Sequence, residues 1–205
     1  DNYCGWLKKK DIGYLSCPTH RVISTRAFLY SDKDIKSLII DYLPFGAKLH
    51  VKKIEHGWTK IFLANAHKTK IAYVFSKDII SIVEIKKDWV STAEQLIGTP
   101  YKWGGRDTIG LDCSALLQLS YQTYGLDIPR NTIDQIKINK KNIIDLEKID
   151  RGFVVFWEGH VGIMVDKLNC IHANAFHMKT VVEPLKEIIS RMGGKNPIKK
   201  IMNFN

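Results

Sequence analysis

The stretch GRDTIGLDCSALLQLSYQTYG, residues 105–125, decides how this chain is read. Gly110 ends a loop, Asp112 is of a helix-capping type, and Leu116, Leu119 and Thr123 fall on one stripe before Gly125. The pattern predicts a helix from about Asp112 to Tyr124 with Cys113 in its first turn. A thiol attacks carbonyls as thiolate, and a free pKa near 8.5 leaves little thiolate at neutral pH. A helix N-terminus and a neighbouring imidazolium both lower that value. Cys113 is therefore a nucleophile or a small apolar residue facing the core, and the first reading needs a histidine brought in by folding.

Downstream, GFVVFW (152–157), HVGIMV (160–165), CIHANA (170–175) and TVVEPL (180–185) read as strands. His160 begins one strand and His172 interrupts another. An antiparallel hairpin over DKLN (166–169) would bring both imidazoles to one end of the sheet. His160 would then take the Cys113 proton and His172 would fix its tautomer, an arrangement of nucleophile, base and orienter. Glu158 and Asp166 are further candidate orienters, Asp166 across a strand from the site end. A Cys/His/His zinc site would fit the ligand types, but no chelating pair lies on one element. YKWGGRDTIG (101–110) has neither the Lys-Ser/Thr of a phosphate loop nor GxGxxG order. No metal and no cofactor are expected.

Upstream, DWVSTAEQLIG (88–98) reads as a helix, with Asp88 as N-cap, Trp89, Ala93 and Leu96 on one face, and Gly98 as stop. LKEIISRM (185–192) is a further short helix and IKKIMNF (198–204) a final strand. Helices followed by antiparallel strands make residues 88–205 an α+β domain. Residues 16–87 hold short strands: RVISTRAFLYS, AKLHVKKI, a turn at HGW, then TKIFLA and KIAYVF joined across NAHK. That spacing suggests a small all-β barrel. CGWLKKKDI (4–12) aligns with IAYVFSKDI (71–79) at a constant offset of 67 residues, so residues 1–15 are expected to be the tail of an earlier copy.

The bulk numbers fit an ordinary globular protein: 205 residues, 45% apolar and 25% charged. No apolar run of membrane-spanning length occurs. Net charge is +10, from 31 Lys and Arg against 21 Asp and Glu, which suits an acidic polymer. The lysines are dispersed with no aromatic-interleaved basic stripe, so no nucleic-acid partner is expected. Cys4, Cys17, Cys113 and Cys170 lie far apart without a CxxC pair, which is neither a disulfide scaffold nor a zinc ribbon.

TPYKWGG, DCS, IPRNTIDQ, GHVGIMVD and CIHANA occur in the order found in NlpC-type, papain-like cell-wall cysteine peptidases, which residues 90–200 resemble. Residues 16–87 resemble the bacterial SH3-like domains that precede such catalytic domains. The resemblance implies Cys113 as nucleophile, His160 as general base and His172 as orienter. It implies Tyr101 as an oxyanion contact, and Asp112 and Ser114 as substrate contacts; Arg106 and Arg130 are candidates for substrate carboxylates. The implied activity is hydrolysis of peptidoglycan stem peptides or muropeptide fragments between γ-D-glutamate and the following diamino acid. Three positions depart from the family pattern: Ala115 replaces a glycine, and Phe153 and Ala47 each replace an acid. Ala47 bears on whether the substrate needs a free N-terminal amine. The rival readings are a non-catalytic wall-binding protein and an amidase or acyltransferase on the same core. For localisation, a cytoplasmic, fragment-recycling setting is favoured over the envelope, and the oligomeric state is left open.

Overall fold

Period-two alternation governs the first half of the chain and capped helices open the second, as traced in a computed structural model that describes residues 5, 6, 8, 9, 17–63, 71–85, 87–140, 142 and 146–205. Two compact units result, divided at residues 85 and 86. The expected tail at 1–15 falls outside the described residues except for Gly5, Trp6, Lys8 and Lys9.

The first unit contains β1 (His20–Val22), β2 (Arg26–Tyr30), β3 (Ile39–Pro44), β4 (Lys48–Leu49), β5 (Val51–Glu55), β6 (Trp58–Phe62), β7 (Ile71–Phe75) and β8 (Ile79–Ser81). The sheets run β3-β2-β7-β6-β5 and β4-β1-β8, with antiparallel pairing in both. Alternate residues Ala27 and Leu29, Ala72 and Val74, and Ile61 meet Val22 and Leu49 in one core. His56 and Gly57, with φ of 49° and 82°, form the β5–β6 turn that HGW predicted. The NAHK turn lies outside the described residues, although β6 and β7 do pair as expected. IIDYLP as β3 was not anticipated.

Among the described residues the short antiparallel strands expected of a small all-β barrel form two separate sheets rather than one closed barrel. His50 interrupts β4 and β5, and its Nδ1 lies 2.9 Å from the Cys17 carbonyl, so the chain changes sheets there.

The second unit contains α1 (Val90–Glu94), β9 (Arg106–Asp107), β10 (Gly110–Leu111), α2 (Cys113–Gln122), α3 (Thr132–Gln135), β11 (Phe153–Trp157), β12 (His160–Met164), β13 (Asn169–Asn174), β14 (Lys179–Pro184), α4 (Leu185–Met192) and β15 (Lys200–Asn203). The five-stranded sheet has order β14-β13-β12-β11-β15 and is antiparallel throughout. Trp89, Tyr121 and Phe204 join α1, α2 and the chain end, with Tyr121 edge-on to the other two at 5.3 and 5.0 Å. Trp89, Ala93 and Leu96 are all buried, as their shared face predicts.

α2 departs from the expected stripe. Every residue from Cys113 to Tyr121 is buried. Gln118 Nε2 donates to the Ile128 carbonyl and Thr123 Oγ1, just past the helix, donates to the Ser120 carbonyl, whereas Ser120 Oγ is buried without a hydrogen-bond partner. A helix covered on every side holds its first residue firmly, and that residue is Cys113.

Candidate active site

Asp112 caps α2 by accepting from the Ala115 N–H at 2.8 Å. Its carboxylate also accepts from the Gly104 N–H, from Ser114 Oγ, and from both terminal nitrogens of Arg130 at 2.8 and 2.9 Å. Arg130 is 4% exposed and further donates to Ser114 Oγ and the Gly105 carbonyl. These contacts fasten the glycine loop, the residue after the nucleophile and the segment before α3 to one carboxylate. Gly105 is required by space: a Cβ there would lie 2.3 Å from the Gly110 carbonyl oxygen.

Sγ of Cys113 lies where the N–H groups of Val161, Ser114 and Cys113 itself favour its anion. Burial and the Asp112 carboxylate nevertheless outweigh those donors and push the thiol up to about 11. Burial thus opposes the lowering that a helix N-terminus brings. The helix start contributes as predicted, but only 7% of Cys113 is exposed, and desolvation acts more strongly. His160 is also neutral rather than an imidazolium, because burial and the neighbouring His172 pull it down to about 3.

The hairpin expected over residues 166–169 is present, with Ile163 opposite Ile171 and Met164 opposite Cys170. It brings His160 Nε2 to 2.8 Å from His172 Nδ1. Gly162 makes room for Cys170 on the neighbouring strand, since a Cβ there would meet Cys170 Sγ at 2.4 Å, while His172 Cβ at 3.6 Å would be in ordinary contact. His172 is 1% exposed, and its Nε2 lies 2.6 Å from Glu183 Oε1 on β14. Burial lowers the His172 pKa despite that carboxylate. Arg191 on α4 grips Glu183 through both terminal nitrogens, and Glu183 is held down to about 2 by Arg191 and His172 against its own burial.

Tyr101 is half-buried beside Cys113 and Asp112. Burial and those two groups raise its phenol pKa, so it remains a hydrogen-bond donor. Its N–H donates to the Met178 carbonyl at 2.9 Å, which ties the loop to the β13–β14 turn. A cavity of about 200 Å³ is lined by Trp103, Gly104, Asp112, Cys113, Ser114 and Arg130, with Asn131, Thr132 and Gly159 completing it.

Of the residues singled out from the sequence, Cys113, Asp112, Ser114 and Arg130 line this cavity, Tyr101 is close to Cys113 and Asp112, and the two histidine rings meet edge to face with centroids 5.0 Å apart. Arg106 stands apart: its Nε and Nη2 donate to the Gln118 and Gln122 side chains at 2.7 and 2.9 Å. Glu158 pairs with Lys199, and Asp166 caps its own turn at Leu168 and Asn169, so neither orients a histidine. Glu183, Arg191 and Trp103 were not anticipated. An acid inside the apolar run TVVEPL was the available signal for Glu183. Among the described residues no group of three or more His, Cys, Asp or Glu side chains could hold a metal ion, and no helix is long and apolar enough to cross a membrane.

A buried thiol at a helix start, a neutral imidazole chain ending on a carboxylate, and a donor phenol together equip this cavity for acyl transfer through sulfur. Comparison with known proteins agrees with that chemistry. The chain is 28% identical over 188 residues to the gamma-D-glutamyl-L-lysine dipeptidyl-peptidase of Bacillus subtilis (strain 168), covering 83% of this chain and 60% of that protein. It is 30% identical over 104 residues to dipeptidyl-peptidase 6 of Lysinibacillus sphaericus, covering 50% of this chain and 37% of that one. The chain thus spans less than two thirds of either relative. A solved NlpC/P60 family protein from Bacillus cereus ATCC 10987 shares the fold at a TM-score of 0.69, with 23% identity, 82% of this chain covered and 58% of that chain. The NlpC/P60 family model matches residues 98–195, from the turn after α1 to just past α4, and it is this stretch of the chain that is similar to the NlpC/P60 family.

Proposed function

We propose that this chain hydrolyses peptidoglycan stem peptides, or muropeptide fragments, at the amide between γ-D-glutamate and an L-diamino acid. The supporting observation is that Cys113, at the start of one buried helix, has at its sulfur the N–H of Val161, the residue next to His160 in the hydrogen-bonded run His160–His172–Glu183. The printed activity of the Bacillus subtilis relative supports the choice of bond.

Both partners start neutral, so the thiol proton passes to His160 as sulfur attacks the γ-carbonyl carbon. Tyr101 and the Cys113 N–H hold the resulting oxyanion. His160 returns the proton to the leaving amine, and a thioester remains on Cys113. His160 then removes a proton from water, whose oxygen displaces the sulfur and frees the γ-D-glutamyl acid and the thiol. His172 keeps the base oriented throughout. Asp112, Ser114 and Arg130 bind one another, and we assign them to shaping the cavity wall that receives substrate.

We assign the first unit as an SH3-like domain on its eight short antiparallel strands. Ala47, half-buried against the core, offers no acid there to a substrate amine. Cleavage of L-Ala-γ-D-Glu-diaminopimelate and its lysine analogue, followed by mass spectrometry, tests the proposal. The wild type should release the dipeptide, and Cys113→Ala should fall to background. Undiminished cleavage by Cys113→Ala, or a wild type that binds the peptides without cutting them, would sink it.

A further inference from the structure

We propose that Glu183, held by Arg191, is a positioning residue that sets the proton arrangement of both imidazoles and leaves His160 Nδ1 bare as the base. The inference rests on the reaction proposed above for its kinetic consequence, but its basis is geometric.

His172 Nε2 has two competing neighbours. Glu183 Oε1 at 2.6 Å needs a proton on that nitrogen, whereas Asn174 Nδ2 at 3.0 Å would donate to a bare one. Asn174 Oδ1 accepts the His177 N–H at 2.8 Å, so the amide is not free to turn its oxygen towards the ring. A carboxylate oxygen and a bare imine nitrogen at 2.6 Å would set two lone pairs against each other. A charge-assisted bond is also roughly twice as strong as a neutral one. The Glu183 arrangement therefore wins, and His172 carries its proton on Nε2.

The rest follows by elimination. His172 Nδ1 is then an acceptor, so His160 Nε2, at 2.8 Å, is the donor. A neutral imidazole has one N–H, which leaves His160 Nδ1 with a lone pair. Had Asn174 won, every proton in the chain would reverse, and His160 Nδ1 would carry a hydrogen and be unable to accept one from Cys113. Arg191 contributes by keeping Glu183 ionised: it binds both carboxylate oxygens, with His177 Nε2 a further 3.4 Å from Oε2. Glu183 never touches substrate; it acts through two rings.

Nitrogen-15 NMR of the histidines tests this directly, without substrate. In the full wild-type chain, His160 should show a protonated Nε2 and an imine-type Nδ1; a protonated Nδ1 overturns the inference. In Glu183→Gln the side chain can also donate to His172, so the two arrangements should mix. On the γ-D-glutamyl peptide, kcat should drop roughly 10²-fold with KM changed less than about twofold. That is milder than the roughly 10⁴-fold drop when a carboxylate touching a catalytic imidazole directly is made an amide. Unchanged tautomers and unchanged kcat in Glu183→Gln also overturn it. Should that variant fail to fold, Glu183→Leu combined with Arg191→Met removes both charges together and leaves no buried ion unpaired; with only Asn174 left beside His172 Nε2, the protons should reverse and His160 Nδ1 should carry one. A wild type with the stated tautomers that cuts no stem peptide would refute the proposed reaction while supporting the proton arrangement.

Discussion

At the scale of single residues, the resting state of Cys113 sets the first prediction. With the thiol pushed up to about 11 and His160 pulled down to about 3, a preformed thiolate–imidazolium pair is not the ground state. Iodoacetamide labelling of Cys113 should be slow at pH 7 and still climbing between pH 8 and 10, measured by peptide mass spectrometry; a plateau below pH 7 would show the ion pair after all. Tyr101→Phe removes one oxyanion donor while leaving the ring, so kcat on the stem peptide should fall roughly 10² to 10³-fold. A change confined to KM would instead make Tyr101 a wall of the cavity. The residue types of the site were legible in the sequence because nucleophile, base and orienter each need a particular side chain. Their protonation was not. It depends on how completely α2 is covered and on the carboxylate next to the sulfur, neither of which a motif specifies. Arg106 illustrates the same limit: its charge suggested a substrate carboxylate, yet two glutamines one turn apart on α2 take its donors.

At the scale of elements, the close contact of β12 with β13 is set by Gly162. Its missing Cβ leaves space filled by Cys170 Sγ, so Gly162→Ala should cost about 1–3 kcal/mol in urea unfolding. Adding Cys170→Ala removes the clashing atom. The double variant should therefore be more stable than the sum of the two single losses predicts, and strict additivity would mean that the contact is not the cause. The long strands β11 to β14 could be read from sequence because each is a run of branched and aromatic residues between turn signals. β9, β10 and α3 could not, being two to four residues held by tertiary contacts such as the Arg130–Asp112 pair. Glu183 was hidden for a different reason. Its partnership with His172 comes from the β13–β14 register, which sets His172 opposite Val181 and Cys170 opposite Glu183, and register is fixed by the whole sheet.

At the scale of the whole molecule, two units with separate cores share one acid-sensitive feature. His160 and His172 in the second unit and His20 in the first all have pKa values lowered by burial. An unfolded chain titrates its histidines near 6.5, so below that pH it binds protons that the folded chain refuses, and stability must fall as pH falls. For His160 the loss runs from about pH 6.5 down to its folded value near 3, on the order of a few kcal/mol across that window. Glu183 adds in the same direction but later: its folded pKa of about 2 lies below the ordinary carboxylate value, so its contribution is intact above about pH 4.5 and disappears beneath it. The two windows can be separated. Urea midpoints should already decline between pH 7 and 5, where only histidines titrate, and more steeply below pH 4.5. His160→Gln keeps a polar side chain but removes one titration, so it should flatten the upper decline and leave the lower one. A midpoint that holds constant from pH 7 to 5 would mean that the imidazoles are not buried as neutral rings, and the proton arrangement built on them would fail with it.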